Sequence, residues 1–262
     1  MWPITIIALV ALLVAGILYN IQEKLIFFPE KLAANYQFEF DPGWEFEELN
    51  FQVEAGVSLN SLLFRSEGKR GLIIYFHGNA GSLSSWGYVQ APFTQLGYDI
   101  LIIDYRGYGK SGGTISSEKQ LHADAAFVYH EMMKTYKEQE TILYGRSIGT
   151  AIAAKVAAEN SPKKLLLESP YFNFNDLVKK HYSSILAVLV KYKLATNTYL
   201  LETSCPVYLI HGTIDNIIPF QSSERLDALS ENIQLTAVPN GGHNDLIEFE
   251  IFQNWLTELL AD

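Results

Sequence analysis

"LYGRSIGT" occupies residues 143–150. Gly145, Ser147 and Gly149 fit G-x-S-x-G, in which a serine sits on a sharp turn from strand to helix with its hydroxyl pushed out of the sheet. The pattern is short, so its neighbours decide its reading. "TILY" before it is a short apolar strand, and "IGTAIAAKVAAEN" after it is a helix of small residues. That is the strand–turn–helix setting the pattern requires.

Working outward, strands and helices alternate. "EELNFQV" and "SLNSLLF" flank residues 54–57 and predict a hairpin. "GLIIYFHGN", "YDILIIDY", "KKLLLES" and "PVYLIHG" are too continuously apolar for half-exposed strands, so both faces should be buried. "IQLTAV" is a further strand. Helices are predicted over 82–96, ended by Gly97, over 116–136, opened by Ser116 or Ser117, over "QSSERLDALS", and over the closing "DLIEFEIFQNWLTELL". This order predicts an α/β fold: a mostly parallel eight-stranded sheet with helices on both faces. Residues 170–204 are too long for a plain connection and read as a helical cap.

The chain has 262 residues, 48% of them apolar, and a net charge of −10. It can bury a large core, and it lacks the clustered Lys and Arg of a nucleic-acid partner. Cys205 is the only cysteine, so no internal disulfide forms, and its place at the mouth of an apolar run reads as packing. "ITIIALVALLVAGILY" at 4–19 carries no charge. A cleaved signal peptide would need a basic start and a polar cleavage region, and a core helix would show a polar side. The expectation is an uncleaved membrane anchor over 1–21, followed by a juxtamembrane segment over 22–44 and the main domain over 45–262, with the side of the membrane left open. Trp2 and Tyr19 sit near its two ends, where amphipathic aromatics favour the interface.

Ligands of open parallel sheets bind at the carboxyl ends of the strands. Ser147 follows "TILY", Asp215 follows "PVYLIHG", His243 follows "IQLTAV", and His77, Gly78 and Asn79 follow "GLIIYF". His243 can take the proton of the Ser147 hydroxyl as it attacks and return it to a leaving group. Asp215 can hold the other ring N–H and stabilise the imidazolium. The anion that forms on an attacked carbonyl needs donors; the Ile148 N–H at a helix start and the Asn79 N–H in the turn after "HG" are the candidates for an oxyanion hole.

With "HGN" at 77–79, "DYRGYGKSGG" at 104–113, "GRSIG" at 145–149, "HGTIDNIIP" at 211–219 and "GGHND" at 241–245, the chain resembles an alpha/beta-hydrolase over about residues 45–260. It is most similar to membrane-tethered, small-capped serine hydrolases whose anchor runs into a "QEKLIFFPE"-like segment. The resemblance implies a serine hydrolase mechanism on the Ser147, Asp215 and His243 set, with no metal or organic cofactor required. It implies an esterase, lipase or thioesterase acting on acyl esters or thioesters. The alternatives are a peptidase or amidase on the same three residues, and a non-catalytic membrane-bound adaptor. Substrate and oligomeric state stay open.

Several neighbours have plainer readings. Glu168, ending the strand before the cap, is the rival acid to Asp215. Asp245 reads as a cap of the last helix, His77 as a prop for its turn, and Asp104 with Arg106 as a structural pair. "GYGKSGG" lacks the spacing of a phosphate loop. Arg146 is either solvated or a contact for an acidic group. The apolar cap stretch "ILAVLVKYKL", flanked by Lys179, Lys180, Lys191 and Lys193, reads either as a cover over the acyl pocket or as a surface that touches lipid, and both readings point to a substrate with an apolar part.

Overall fold

The computed structural model describes residues 2–182 and 184–261. Its strands are β1 (Phe46–Glu54), β2 (Val57–Phe64), β3 (Leu72–Phe76), β4 (Asp99–Ile103), β5 (Thr141–Arg146), β6 (Lys164–Glu168), β7 (Val207–Gly212) and β8 (Ile233–Val238). Its helices are α1 (Trp2–Asn20), α2 (Gln22–Ile26), α3 (Leu83–Trp86), α4 (Ala91–Gln95), α5 (Glu118–Met132), α6 (Gly149–Glu159), α7 (Phe174–His181), α8 (Ser184–Val188), α9 (Thr196–Glu202), α10 (Gln221–Asp227) and α11 (Glu250–Leu260).

The eight strands form one sheet in the order β1-β2-β4-β3-β5-β6-β7-β8. The sheet is mixed, which corrects the expectation of a mostly parallel one. β2 runs antiparallel to both β1 and β4, while β4, β3, β5, β6, β7 and β8 pair in parallel. The cause is the β1–β2 hairpin, whose tight turn reverses the chain and puts β2 beside the parallel set in the opposite sense.

Side chains of a strand alternate between faces, so a run buried on both sides must be apolar at every position. β3 shows this directly. Leu72, Ile74 and Phe76 join one core layer, and Ile73 and Tyr75 join the other. The first layer packs under α5, α6 and α9 through residues such as Leu121, Val128, Ile152 and Leu200. The second packs under α4 and α11 through Phe93, Phe252, Trp255 and Leu256. Ser117 caps α5, its Oγ accepting the Gln120 N–H at 3.2 Å.

Two predicted helices are shorter than expected. Residues 82–96 divide into α3, a 3-10 turn at Gly87–Gln90, and α4, which opens with Pro92 near its start. Gly87 lies so close under the ring of Phe40 that a Cβ there would collide with it. The two residues lie about 47 positions apart in sequence, which hides the contact from local patterning, since Phe40 belongs to the N-terminal segment. The last helix begins at Glu250, after a 3-10 turn at Leu246–Glu248.

The N-terminal expectation is overturned. Residues 2–20 form α1, with Ile6, Ile7, Leu9, Leu12 and Leu13 exposed. Yet among the described residues no helix is long and apolar enough to cross a membrane. The anchor over 1–21 and the single-pass membrane location are therefore withdrawn. The shortfall is length: the 19 residues of α1 span about 28 Å at ~1.5 Å each, against a hydrocarbon core of ~30 Å. Met1 lies outside the described residues, as does the side chain of Trp2, which was expected at the interface. Residues 26–40 instead pack on the main body: Ile26 and Phe27 enter one core layer and Phe38 the other.

Candidate active site

The elbow at 145–149 explains its own glycines. α6 presses so closely on β5 that a Cβ on Gly145 would lie 2.6 Å from the Gly149 carbonyl oxygen. A Cβ on Gly149 would run into the backbone oxygens of Phe76 and His77. Only glycine permits this approach. The small residues that follow, Ala151, Ala153, Ala154 and Ala157, are fully buried for the same reason. The turn leaves Ser147 with φ of 53°, in the left-handed region, which lifts its side chain above the strand ends. The Ser147 N–H donates to Glu168 O at 3.0 Å, and the Thr150 N–H donates to Ser147 O at 3.0 Å.

Three distant side chains meet here. His243 Nε2 lies 3.0 Å from Ser147 Oγ, and His243 Nδ1 lies 2.6 Å from Asp215 Oδ2. Asp215 is held on every side. Its Oδ1 accepts the Ile217 and Ile218 N–H groups at 2.8 Å each, and Oδ2 lies 3.1 Å from His211 Nε2. Burial pushes this carboxyl up, but hydrogen bonds from His211 and His243 overcome it and hold the group far below the usual carboxylate range. In this order the imidazole can take the proton of the hydroxyl while the ionised carboxylate holds the other ring nitrogen.

Because the Asp215 carboxyl titrates lower in the folded chain than in the unfolded one, its ionised contacts stabilise the fold above the unfolded value, about 3.9. That contribution fades as pH falls through the folded value. Asp215→Asn should therefore melt several degrees below wild type at pH 7, with the gap narrowing below about pH 4. Thermal melts from pH 3 to pH 7 measure this directly, and a gap that ignores pH would refute the linkage.

Asn79, Ser147 and Ile148 line one cavity of about 420 Å³. Among the described residues, the backbone N–H groups of Asn79 and Ile148 donate to no other group. The Asn79 side chain is fully engaged, a role the sequence reading missed. It donates to Ile26 O, and its Oδ1 accepts from the Phe28 N–H at 3.1 Å and from Tyr108 OH at 3.0 Å. His77 is fully buried, with Nδ1 2.6 Å from Gly78 O and its ring stacked on Trp86 at 5.4 Å.

Arg146, Asp104, Arg106 and Asp245 sit differently from their expected places, while Glu168 and Cys205 keep structural ones. Glu168 does not reach His243; it accepts from Tyr144 OH at 2.7 Å and pairs with Arg146 Nε at 2.9 Å. Arg146 is not solvated. Its Nη2 donates to Asn244 Oδ1 at 3.0 Å and to His243 O at 3.3 Å, tying the elbow to the histidine loop. Asp104 and Arg106 do not pair. Asp104 faces His77 at 3.4 Å, and Arg106 grips Asp124 through two contacts of 2.6 and 2.9 Å. Asp245 caps no helix through its side chain; its Oδ1 accepts the Gly242 N–H at 2.7 Å, bracing the turn that carries His243. Burial pushes the Cys205 thiol up to about 12, which fits packing and not attack.

An eight-stranded sheet with a serine elbow at the end of β5, followed by a helix packed on the sheet, defines an alpha/beta hydrolase. The sequence profile of the family described as serine aminopeptidase, S33, matches residues 67–205, and the chain belongs to that family. A zebrafish (Danio rerio) protein named lysophosphatidylserine lipase ABHD12 is 30% identical over 176 residues, covering 59% of this chain and 46% of that protein. The chain thus spans less than half the length of that relative. An uncharacterized protein of Mycobacterium tuberculosis is 29% identical over 249 residues, covering 92% of this chain and 88% of the other. Among solved structures, Pyrococcus furiosus esterase Pf2001 superposes with a TM-score of 0.70 at 18% identity, covering 90% of this chain and 97% of that one. At that identity the likeness speaks for the fold.

Proposed function

We propose that the protein is a serine hydrolase that cleaves carboxylic esters or thioesters with an apolar acyl group, through an acyl-enzyme on Ser147. The observation that carries this reading is the unbroken line from Ser147 Oγ through His243 to Asp215, beside two undirected backbone N–H groups. Ser147 Oγ attacks the carbonyl carbon as His243 Nε2 takes its proton. Asp215 holds Nδ1–H and stabilises the imidazolium. The carbonyl oxygen, now an anion, is held by the Ile148 and Asn79 N–H groups, each worth about 3 kcal/mol to the transition state. The imidazolium then protonates the leaving oxygen or sulfur. A water molecule, deprotonated by His243, attacks the acyl-enzyme and releases the acid.

The domain division belongs to the same proposal: a hydrolase unit over 45–262 with a cap at about 170–204, on which residues 22–44 dock. The lipase named among the relatives supports an acyl substrate, and the family description raises a peptidase on the same residues. Turnover of p-nitrophenyl acyl esters set against aminoacyl and dipeptide amides separates the two. Fast ester cleavage with an initial burst of p-nitrophenol is expected. Efficient amide cleavage with slow ester turnover would replace the ester reading with the peptidase one.

A further inference from the structure

The cavity at Ser147 does not end there. A second cavity of about 400 Å³ lies farther out, reaching Leu18, Leu189 and Val190. Leu25, Ile26, Phe28, Phe174, Val178 and Tyr182 line both. The two are lobes of one apolar groove that starts at the nucleophile. Its walls come from two separate parts of the chain. One is the N-terminal segment from the end of α1 through α2 to Phe28; the other is the cap, through α7, α8 and the turn after α8.

The N-terminal wall is fastened at both ends. Toward the cap, Gln22 Nε2 donates to Leu189 O at 2.7 Å and Gln22 Oε1 accepts the Lys191 N–H at 2.9 Å. Glu23 takes the Lys191 ammonium at 3.2 Å and the Tyr192 hydroxyl at 3.0 Å. Toward the nucleophile, the Asn79 side chain clasps Ile26 O and the Phe28 N–H. The chain then runs on beside the same turn, with the Glu30 N–H donating to Gly81 O at 3.0 Å. The groove is therefore formed before any ligand arrives, and the side-chain amide of Gln22 spends its hydrogen bonds on the cap backbone.

We propose that this groove is the acyl-chain site, and that residues 18–28 act with α7 and α8 as its specificity-determining walls. The occupant is a long, unbranched hydrocarbon chain whose carboxyl carbon sits at Ser147. Three observations carry this. The groove is continuous with the nucleophile, its shared lining is aliphatic and aromatic, and the polar donors of Asn79 and Ile148 lie only at the Ser147 end. A straight chain fits two lobes in series, whereas a short acyl group leaves the outer lobe to water. Burying one methylene favours binding by up to about fourfold, so selectivity should climb with chain length. The inference rests on the serine-hydrolase reading and adds the substrate's acyl length to it.

The test uses the full chain and p-nitrophenyl acetate, butyrate, octanoate and dodecanoate. Wild type should show kcat/KM at least about tenfold higher for dodecanoate than for acetate. Val178→Trp, on the cap wall, and Leu25→Trp, on the N-terminal wall, fill the shared stretch of the groove. Each should lower the dodecanoate-to-acetate ratio at least about tenfold. Labelling by a fluorophosphonate shows which variants keep a formed site, and two walls give two independent variants. An acetate preference in wild type, or unchanged ratios in variants that label normally, overturns the groove assignment and leaves the hydrolase reading intact. No turnover of any ester and no labelling of wild type removes the hydrolase reading and this inference together.

Discussion

Replacing Ser147 with alanine should lower kcat on a p-nitrophenyl ester by about 10,000-fold or more, while the protein keeps its fold. The size follows from what is lost. Without the hydroxyl no acyl-enzyme forms, and His243 has nothing to deprotonate except water. The remaining donors at Ile148 and Asn79 still bind the carbonyl oxygen, which sets a residual rate above the uncatalysed one. The fold should survive because alanine bears the left-handed φ of 53° no worse than serine does. The main-chain bonds of the elbow also stay, since Ser147 N and O make them, not Oγ. Steady-state kinetics and a thermal melt on the same sample check both halves. A loss below about tenfold would mean that another group carries the reaction.

Gly149→Ala should be the more damaging change to structure. A methyl at this position would run into the backbone oxygens of Phe76 and His77. Backbone cannot turn aside as the end of a flexible side chain can, so α6 must move off β3. Overpacking of a tight core costs about 1–3 kcal/mol, and a backbone obstacle puts this case at the upper end or beyond. For a domain of this size that is a fall in melting temperature of roughly 6–12 °C. The same shift carries Ile148 away from the cavity, so activity should fall along with stability. Calorimetry and ester kinetics on Gly149→Ala give the two numbers. A variant as stable and active as wild type would show that the helix sits farther from the sheet than described.

Much of this was legible in the sequence, because it is written in local pattern. Continuous apolar runs such as "LIIYF" and "DILII" announce strands buried on both faces, and the two core layers divide them residue by residue. The positions of Ser147, Asp215 and His243 at strand ends follow from the same runs. What pattern could not show are contacts between segments far apart. Phe40 packed tightly against Gly87, far away in sequence, is one such contact. Arg146 reads as solvated or as a contact for an acidic group, and Glu168 as a rival acid; their pairing with each other, and of Glu168 with the Tyr144 hydroxyl, is what the pattern does not show. His211 passed as a strand residue, although its Nε2 lies 3.1 Å from Asp215 Oδ2. The Glu168 rivalry with Asp215 needed side-chain directions to resolve. The first 21 residues misled most, since an uncharged run suggests a bilayer even where the helix is too short to cross one.

The central claim is that Ser147 is a nucleophile activated by His243. Intact mass and peptide mapping after timed exposure to a fluorophosphonate, comparing wild type with His243→Ala, test it most directly. The expected result is a single adduct on Ser147 in wild type, formed at least about 1,000-fold more slowly when the imidazole is gone. An adduct on another residue, or equal rates in the two proteins, would contradict it.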